Sequence, residues 1–232
     1  FDNHFVLPNL GPIGSNGLAN ARDFQTPIAW FEKLETNFKI ILKFHGNLYE
    51  SEQDHSCFNV VAWHGNYVPY KYNLKNFMAI NTVSFDHADP SIFTVLTCPS
   101  MKPGTAIADF VIFPPRWNVA EHTFRPPCYH RNCMSEFVGN ILDTSNEKQK
   151  VQAGGCSLHN LMAPHGPNKG VFESGVDDEL KPSRIPDGNI SFMFESSLGL
   201  SLTDWAWNSE KKENDYHKSW LLLEDNYSKI KN

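Results

Sequence analysis

A chain of 232 residues with 41% hydrophobic and 13% aromatic side chains has the material for one large domain, or for one domain plus part of another. A net charge of −6 and a pI near 5.9 argue against a nucleic-acid or anionic-membrane partner, which would require a basic face. The mean hydropathy of −0.41 and the lack of any apolar run near the roughly 18 residues of a membrane helix argue against a membrane-spanning segment.

The first twenty residues are rich in Gly, Pro and Asn and read as irregular chain with turns. They begin at Phe1 in a string that looks like the middle of a longer chain. Thr26-Pro27 before IAWFEKL predicts a short helix, with Thr26 as N-cap and Pro27 in the first turn. FKIILKFHGNLYE predicts a strand and a turn at Gly46-Asn47, and CFNVVAW a further strand. NYVPYKYNLKNF carries several rings among polar residues and reads as an ordered, packed loop, with Tyr67, Tyr70 and Tyr72 in packing rather than catalysis.

From residue 80 onward the pattern is all-β. INTVSF, SIFTVLT, TAIADFVIF and NISFMFESSLGLSL are short and rich in β-branched or aromatic residues. Asp89-Pro90, Pro103-Gly104 and Pro114-Pro115 punctuate them. This spacing predicts a mainly β fold, a sandwich or jelly roll with a few short helices, rather than βαβ units. Residues 142–152 and 173–189 read as polar, exposed connections. Tyr216, Trp220, Leu223 and Tyr227 recur at helical spacing and predict an amphipathic C-terminal helix packed on the sandwich.

Five cysteines, Cys57, Cys98, Cys128, Cys133 and Cys156, form no recognisable disulfide framework. Free thiols in a reducing, cytoplasmic compartment are expected, and no secretory signal is visible.

The segment RPPCYHRNCMSEF places His130 six residues before Glu136. Two metal ligands need donor atoms about 3 Å apart, because each bond is only about 2.1 Å long. Six residues of straight strand span roughly 20 Å. The chain must therefore bend between them, and RNCMS at a strand end could supply the bend. His165, between Pro164 and Gly166, is a reasonable third ligand. Two histidines and a carboxylate would make the facial triad of non-haem Fe(II) oxygenases. A rival set, Cys128, His130, Cys133 and Cys156, would make a closed structural zinc site, although its spacing is not a standard one. A plain polar loop is the third possibility. Spacing alone carries the argument no further than a possible metal site in a β-barrel.

Longer strings narrow the choice. WHGNYVPYKYNLKNF, FDHADPSIFTVL, IADFVIFPPRW, FRPPCYHRNCMSEF, SLHNLMAPHGP and FMFESSL, with LGPIGSNGLANARDF near the start, resemble the homogentisate 1,2-dioxygenases. The similarity runs in order through almost the whole chain and corresponds to the C-terminal half of a family whose chain is about twice as long. It implies that residues 1–75 are the remainder of an N-terminal β region and that residues 76–232 form a cupin-like jelly-roll catalytic domain.

It further implies Fe(II) as cofactor, held by His130, Glu136 and His165. The substrates would be a small aromatic acid, homogentisate, and O₂, cleaved to maleylacetoacetate in tyrosine and phenylalanine catabolism. The assembly would be a homo-hexamer, a dimer of trimers. His87 falls at the position of the general base, and a histidine of ordinary pKa near 6.5 suits proton abstraction at neutral pH. His159 and His165 fall at substrate-contacting positions. One departure stands out: between Glu136 and His159 the family has a substrate-contacting tyrosine, and FVGNILDTSNEKQKVQAGG has none. That loss is the basis of an alternative, a non-catalytic cupin scaffold that binds metal or a small aromatic acid.

Overall fold

The computed structural model describes residues 3–8, 19–28, 30–60, 68–78, 90–118, 129–144, 152–179 and 181–225. Among them the chain is mainly β, with antiparallel sheets and a few short helices, as expected of a cupin-like β-sandwich. No helix among the described residues is long and apolar enough to cross a membrane.

The first two strands, β1 (Phe38–Phe44) and β2 (Asn47–Gln53), form a separate hairpin. The turn sits one residue earlier than the sequence suggests. His45 and Gly46 both adopt positive φ, 47° and 77°, the two-residue geometry that matches the twist of a hairpin.

The main sheet has five strands: β3 (Thr94–Pro99), β4 (Ala106–Phe113), β6 (Ser135–Leu142), β7 (Cys156–His159) and β9 (Ile190–Ser196). Their spatial order is β3-β4-β9-β6-β7, antiparallel throughout. A small pair, β5 (Arg116–Asn118) with β8 (Ser183–Ile185), lies apart. The segment SIFTVLT divides into a 3₁₀ turn over Pro90–Phe93 and then β3.

Strand periodicity gives the sheet two distinct faces. On one, Val111, Met193 and Val138 stand in cross-strand register and pack with Ile92, Phe93 and Phe113. The neighbouring row on that face is polar: Thr97, Asp109, Glu195, Glu136 and His159 follow one another across all five strands. The Thr97 hydroxyl donates to Asp109 Oδ1 at 2.6 Å, and burial raises the Asp109 carboxyl above the usual carboxylate range. On the other face Val95 and Ile112 pack with Phe77 and the partly buried Tyr72, Leu74, Phe110 and Phe192. The early part of the chain therefore covers this face. It also extends the sheet edge, where Val6 exchanges two 2.8 Å backbone hydrogen bonds with Thr97.

Four local expectations need correction. The described residues of 26–34 are not helical. Glu32 N–H bonds Phe58 C=O at 2.8 Å, and Ser56 N–H bonds Leu34 C=O at 3.0 Å. One helical turn is marginal by itself, and these cross-chain partners satisfy the backbone instead. Residues 57–60 of CFNVVAW are turn and bend rather than strand. The 173–189 connection includes the end of a two-turn helix, α1 (Lys169–Val176), and all of β8. The predicted C-terminal helix reduces to a 3₁₀ turn, Tyr216–Trp220, preceded by a single α-turn, α2 (Asp204–Trp207). INTVSF, residues 61–67 and Tyr227 lie outside the described residues. NYVPYKYNLKNF is packed where it is described: Tyr72 stacks on Phe24 with centroids 4.6 Å apart, and Phe77 is buried.

Candidate metal centre

The site grows from one end of the β6–β7 pair. Within the ladder Glu136 stands opposite His159. Beyond it the two strands continue as an irregular zipper. Met162 N–H bonds Asn132 C=O at 3.0 Å, and His130 and His165 exchange two backbone hydrogen bonds of 2.8 Å. Between His130 and β6 the chain bends at Cys133 and Met134, as the reach argument requires. Gly166 follows His165 with φ of 149°, a conformation that side-chain-bearing residues rarely adopt.

This geometry gathers three side chains. One ligand atom from each of His130, Glu136 and His165 lies within 4.8 Å of the others. Glu136 and His165 are buried, 8% and 6% exposed, so the cluster is not an accidental surface grouping. The His130 and His165 rings lie 4.5 Å apart.

Hydrogen bonding orients two of the three. The Asn132 amide donates to Glu136 Oε1, and Asn132 Oδ1 accepts from Met134 N–H at 2.8 Å. The second carboxylate oxygen, Oε2, lies 3.0 Å from His165 Nε2. His165 Nδ1 lies 2.9 Å from Ala163 C=O, a partner that can only accept. In its neutral, metal-ligating form the ring would carry its proton on Nδ1, and its Nε2 lone pair would face a carboxylate lone pair. Such an arrangement calls for a cation between them. The 3.0 Å separation also fits two bonds of about 2.1 Å meeting near a right angle. The donor set thus fits a divalent metal with open positions.

If Asn132 orients Glu136 for metal binding, Asn132→Ala should weaken divalent-metal affinity about 10- to 100-fold, the usual effect of losing a ligand's hydrogen-bond partner. Competition against a chelator measures this, and unchanged affinity would exclude the role.

His159 stacks on His165, with centroids 4.2 Å apart and planes 8° from parallel. Its Nε2 lies 3.0 Å from the Tyr216 hydroxyl, whereas its Nδ1 is buried without a hydrogen-bond partner among the described residues. Burial first, and then the His165 ring beside it, lower its pKa to about 4. The ring is therefore neutral at physiological pH. Trp220 Nε1–H donates to Gly166 C=O at 2.8 Å, and its ring lies 6.1 Å from that of Tyr129. The 3₁₀ turn Tyr216–Trp220 thus grips both sides of the cluster.

His87, Cys128 and residues 145–151, the core of the segment without tyrosine, lie outside the described residues. Cys133 and Cys156 are exposed and do not join the three-residue group. Helical spacing casts Tyr216 and Trp220 as packing residues, so no local signal in the sequence marks them as part of the site. Asn132 was visible only as a polar neighbour in RNCMSEF.

A mainly β scaffold with two histidines and one carboxylate converging at a strand end defines a candidate metal centre of the two-histidine, one-carboxylate class. A family model described as homogentisate 1,2-dioxygenase C-terminal matches residues 75–227, and one described as homogentisate 1,2-dioxygenase N-terminal matches residues 1–74. The chain belongs to the homogentisate 1,2-dioxygenase family. It is 57% identical to homogentisate 1,2-dioxygenase of Drosophila melanogaster over 235 residues, covering 100% of this chain and 54% of that one. It is 58% identical to the Homo sapiens protein of the same name over 229 residues, covering 97% and 52%. For the Arabidopsis thaliana protein of that name the identity is 54% over 231 residues, covering 98% and 50%. The chain spans about half the length of the curated relatives it matches.

Proposed function

We propose that this chain carries the catalytic centre of an Fe(II)-dependent dioxygenase that cleaves the ring of homogentisate to maleylacetoacetate, in tyrosine and phenylalanine catabolism. The convergence of His130, Glu136 and His165 at one largely buried point, in a chain of this family, is the observation that carries the reading. The proposal extends to a cytoplasmic homo-oligomer, a hexamer built as a dimer of trimers, with residues 1–75 and 76–232 as its two units.

In this reading His130, Glu136 and His165 hold the ferrous ion. Bound iron would supply the electronic coupling between O₂ and the aromatic ring. Glu136 contributes one negative charge, so the centre keeps net positive charge to attract a substrate oxygen. His87 takes the proton of the substrate hydroxyl. His159, neutral and half-buried beside His165, hydrogen-bonds a substrate oxygen. One ring C–C bond breaks and both atoms of O₂ enter the product, so no separate reductant is consumed.

Oxygen-electrode assays on the Fe(II)-loaded chain with homogentisate test this directly. One O₂ consumed per maleylacetoacetate formed is the expected stoichiometry. Tight metal binding without oxygen uptake would favour the non-catalytic scaffold.

A further inference from the structure

We propose that Tyr216 is a positioning residue that holds His159 in its Nδ1–H tautomer, so that the ring offers a hydrogen-bond donor to an oxygen of the bound aromatic acid. The inference rests on the ring-cleavage reading for the identity of that oxygen, but not for the tautomer.

Three observations lead to it. First, the Tyr216 hydroxyl lies 3.0 Å from His159 Nε2. A phenol is a good donor and a poor acceptor, whereas an imidazole nitrogen bearing a lone pair is a strong acceptor. The favoured polarity is therefore Oη–H to Nε2, which leaves the ring proton on Nδ1.

Second, His159 Nδ1 is buried and has no hydrogen-bond partner among the described residues. A buried donor without an acceptor is unfavourable and uncommon. Its ring is stacked 4.2 Å from that of His165, beside the three-residue cluster. An oxygen brought in by a ligand of that cluster would satisfy it.

Third, Tyr216 is not free to drift from this position. Its ring meets Trp220 edge-on at 5.0 Å, and Trp220 is anchored by the 2.8 Å bond to Gly166 C=O. The backbone that carries His165 and the turn that carries Tyr216 are thereby tied together. His159 is clamped between its stack on His165 and its bond to Tyr216.

The test reads the tautomer by two-bond ¹H–¹⁵N NMR of histidine-labelled, Zn(II)-loaded protein, zinc being the diamagnetic substitute for iron. A His159→Gln variant assigns the resonance. The wild-type ring should show the Nδ1–H pattern, and Tyr216→Phe, which keeps the aromatic ring and deletes only the hydroxyl, should shift it toward Nε2–H. With Fe(II) and homogentisate, Tyr216→Phe should lower kcat/KM about tenfold at unchanged metal content, as expected for one misdirected hydrogen bond. An Nε2–H pattern in the wild type, or a tautomer indifferent to Tyr216→Phe, overturns the proposal. The wild-type spectrum decides the tautomer even if the variant fails to fold. It does so whether or not the chain turns over homogentisate, so failure of the ring-cleavage reading and failure of this assignment are separate results.

Discussion

Glu136→Ala is expected to abolish both stoichiometric Fe(II) binding and oxygen consumption while leaving the chain folded. Glu136 is the one anionic member of the three-residue group, and it is 8% exposed. Without it two imidazoles remain, and a divalent ion in a largely desolvated place loses the one carboxylate among its ligands. The loss should exceed the 10- to 100-fold typical of outer hydrogen-bond partners. The fold should survive, because the β6 ladder to β9 and β7 is made by backbone groups that alanine retains. Glu136→Gln sharpens the test. It preserves shape and the reach to Asn132 and His165 but removes the charge. Metal content by elemental analysis, with circular dichroism as the fold control, separates the charge from the scaffold. A Glu136→Ala chain that still binds iron with wild-type affinity would place the ion elsewhere.

Ile112→Ala is expected to destabilise the fold by about 2–5 kcal/mol without altering the metal stoichiometry. Ile112 is fully buried in β4, opposite Phe192 and in one cluster with Val95 and Phe77. Its neighbours belong to two adjacent strands and to the early segment that covers the sheet, so no single side chain can collapse into the gap. The cluster occupies the face opposite the polar row that carries Glu136 and His159, which is why the two properties should separate. Urea denaturation measures the effect as a lower midpoint at an unchanged slope. A midpoint within error of wild type would mean that this face contributes little to cooperativity.

How much of this was legible in the sequence depended on the range of the interactions involved. The β character was, because TAIADFVIF and NISFMFES alternate on both faces of a sheet. The need for a bend between His130 and Glu136 followed from reach alone, and the structure puts it where β6 begins at Ser135. The resemblance singled out His130, Glu136 and His165, and the structure brings those three together. What the sequence hid was long-range. Tyr216 lies 57 positions from His159, and Trp220 lies 54 from Gly166, so neither bond leaves a local pattern.

The helix expected after Thr26-Pro27 failed for the same reason. A locally sound cap signal lost to backbone partners near Ser56 and Phe58, which lie far along the chain. Conversely, α1 escaped notice because KGVFESGV holds two glycines. Its start is marked by the Asn168 side chain accepting from Val171 N–H at 3.0 Å.

Ring cleavage is read in a single experiment by loading the chain with Fe(II) anaerobically, adding homogentisate, and admitting ¹⁸O₂. Mass spectrometry then reads the ring-opened product. Maleylacetoacetate carrying both heavy oxygen atoms is the expected product, formed by the wild type and not by Glu136→Ala. Product with one heavy atom or none, or iron-loaded chain that leaves homogentisate intact, would rule out dioxygenase chemistry at this centre.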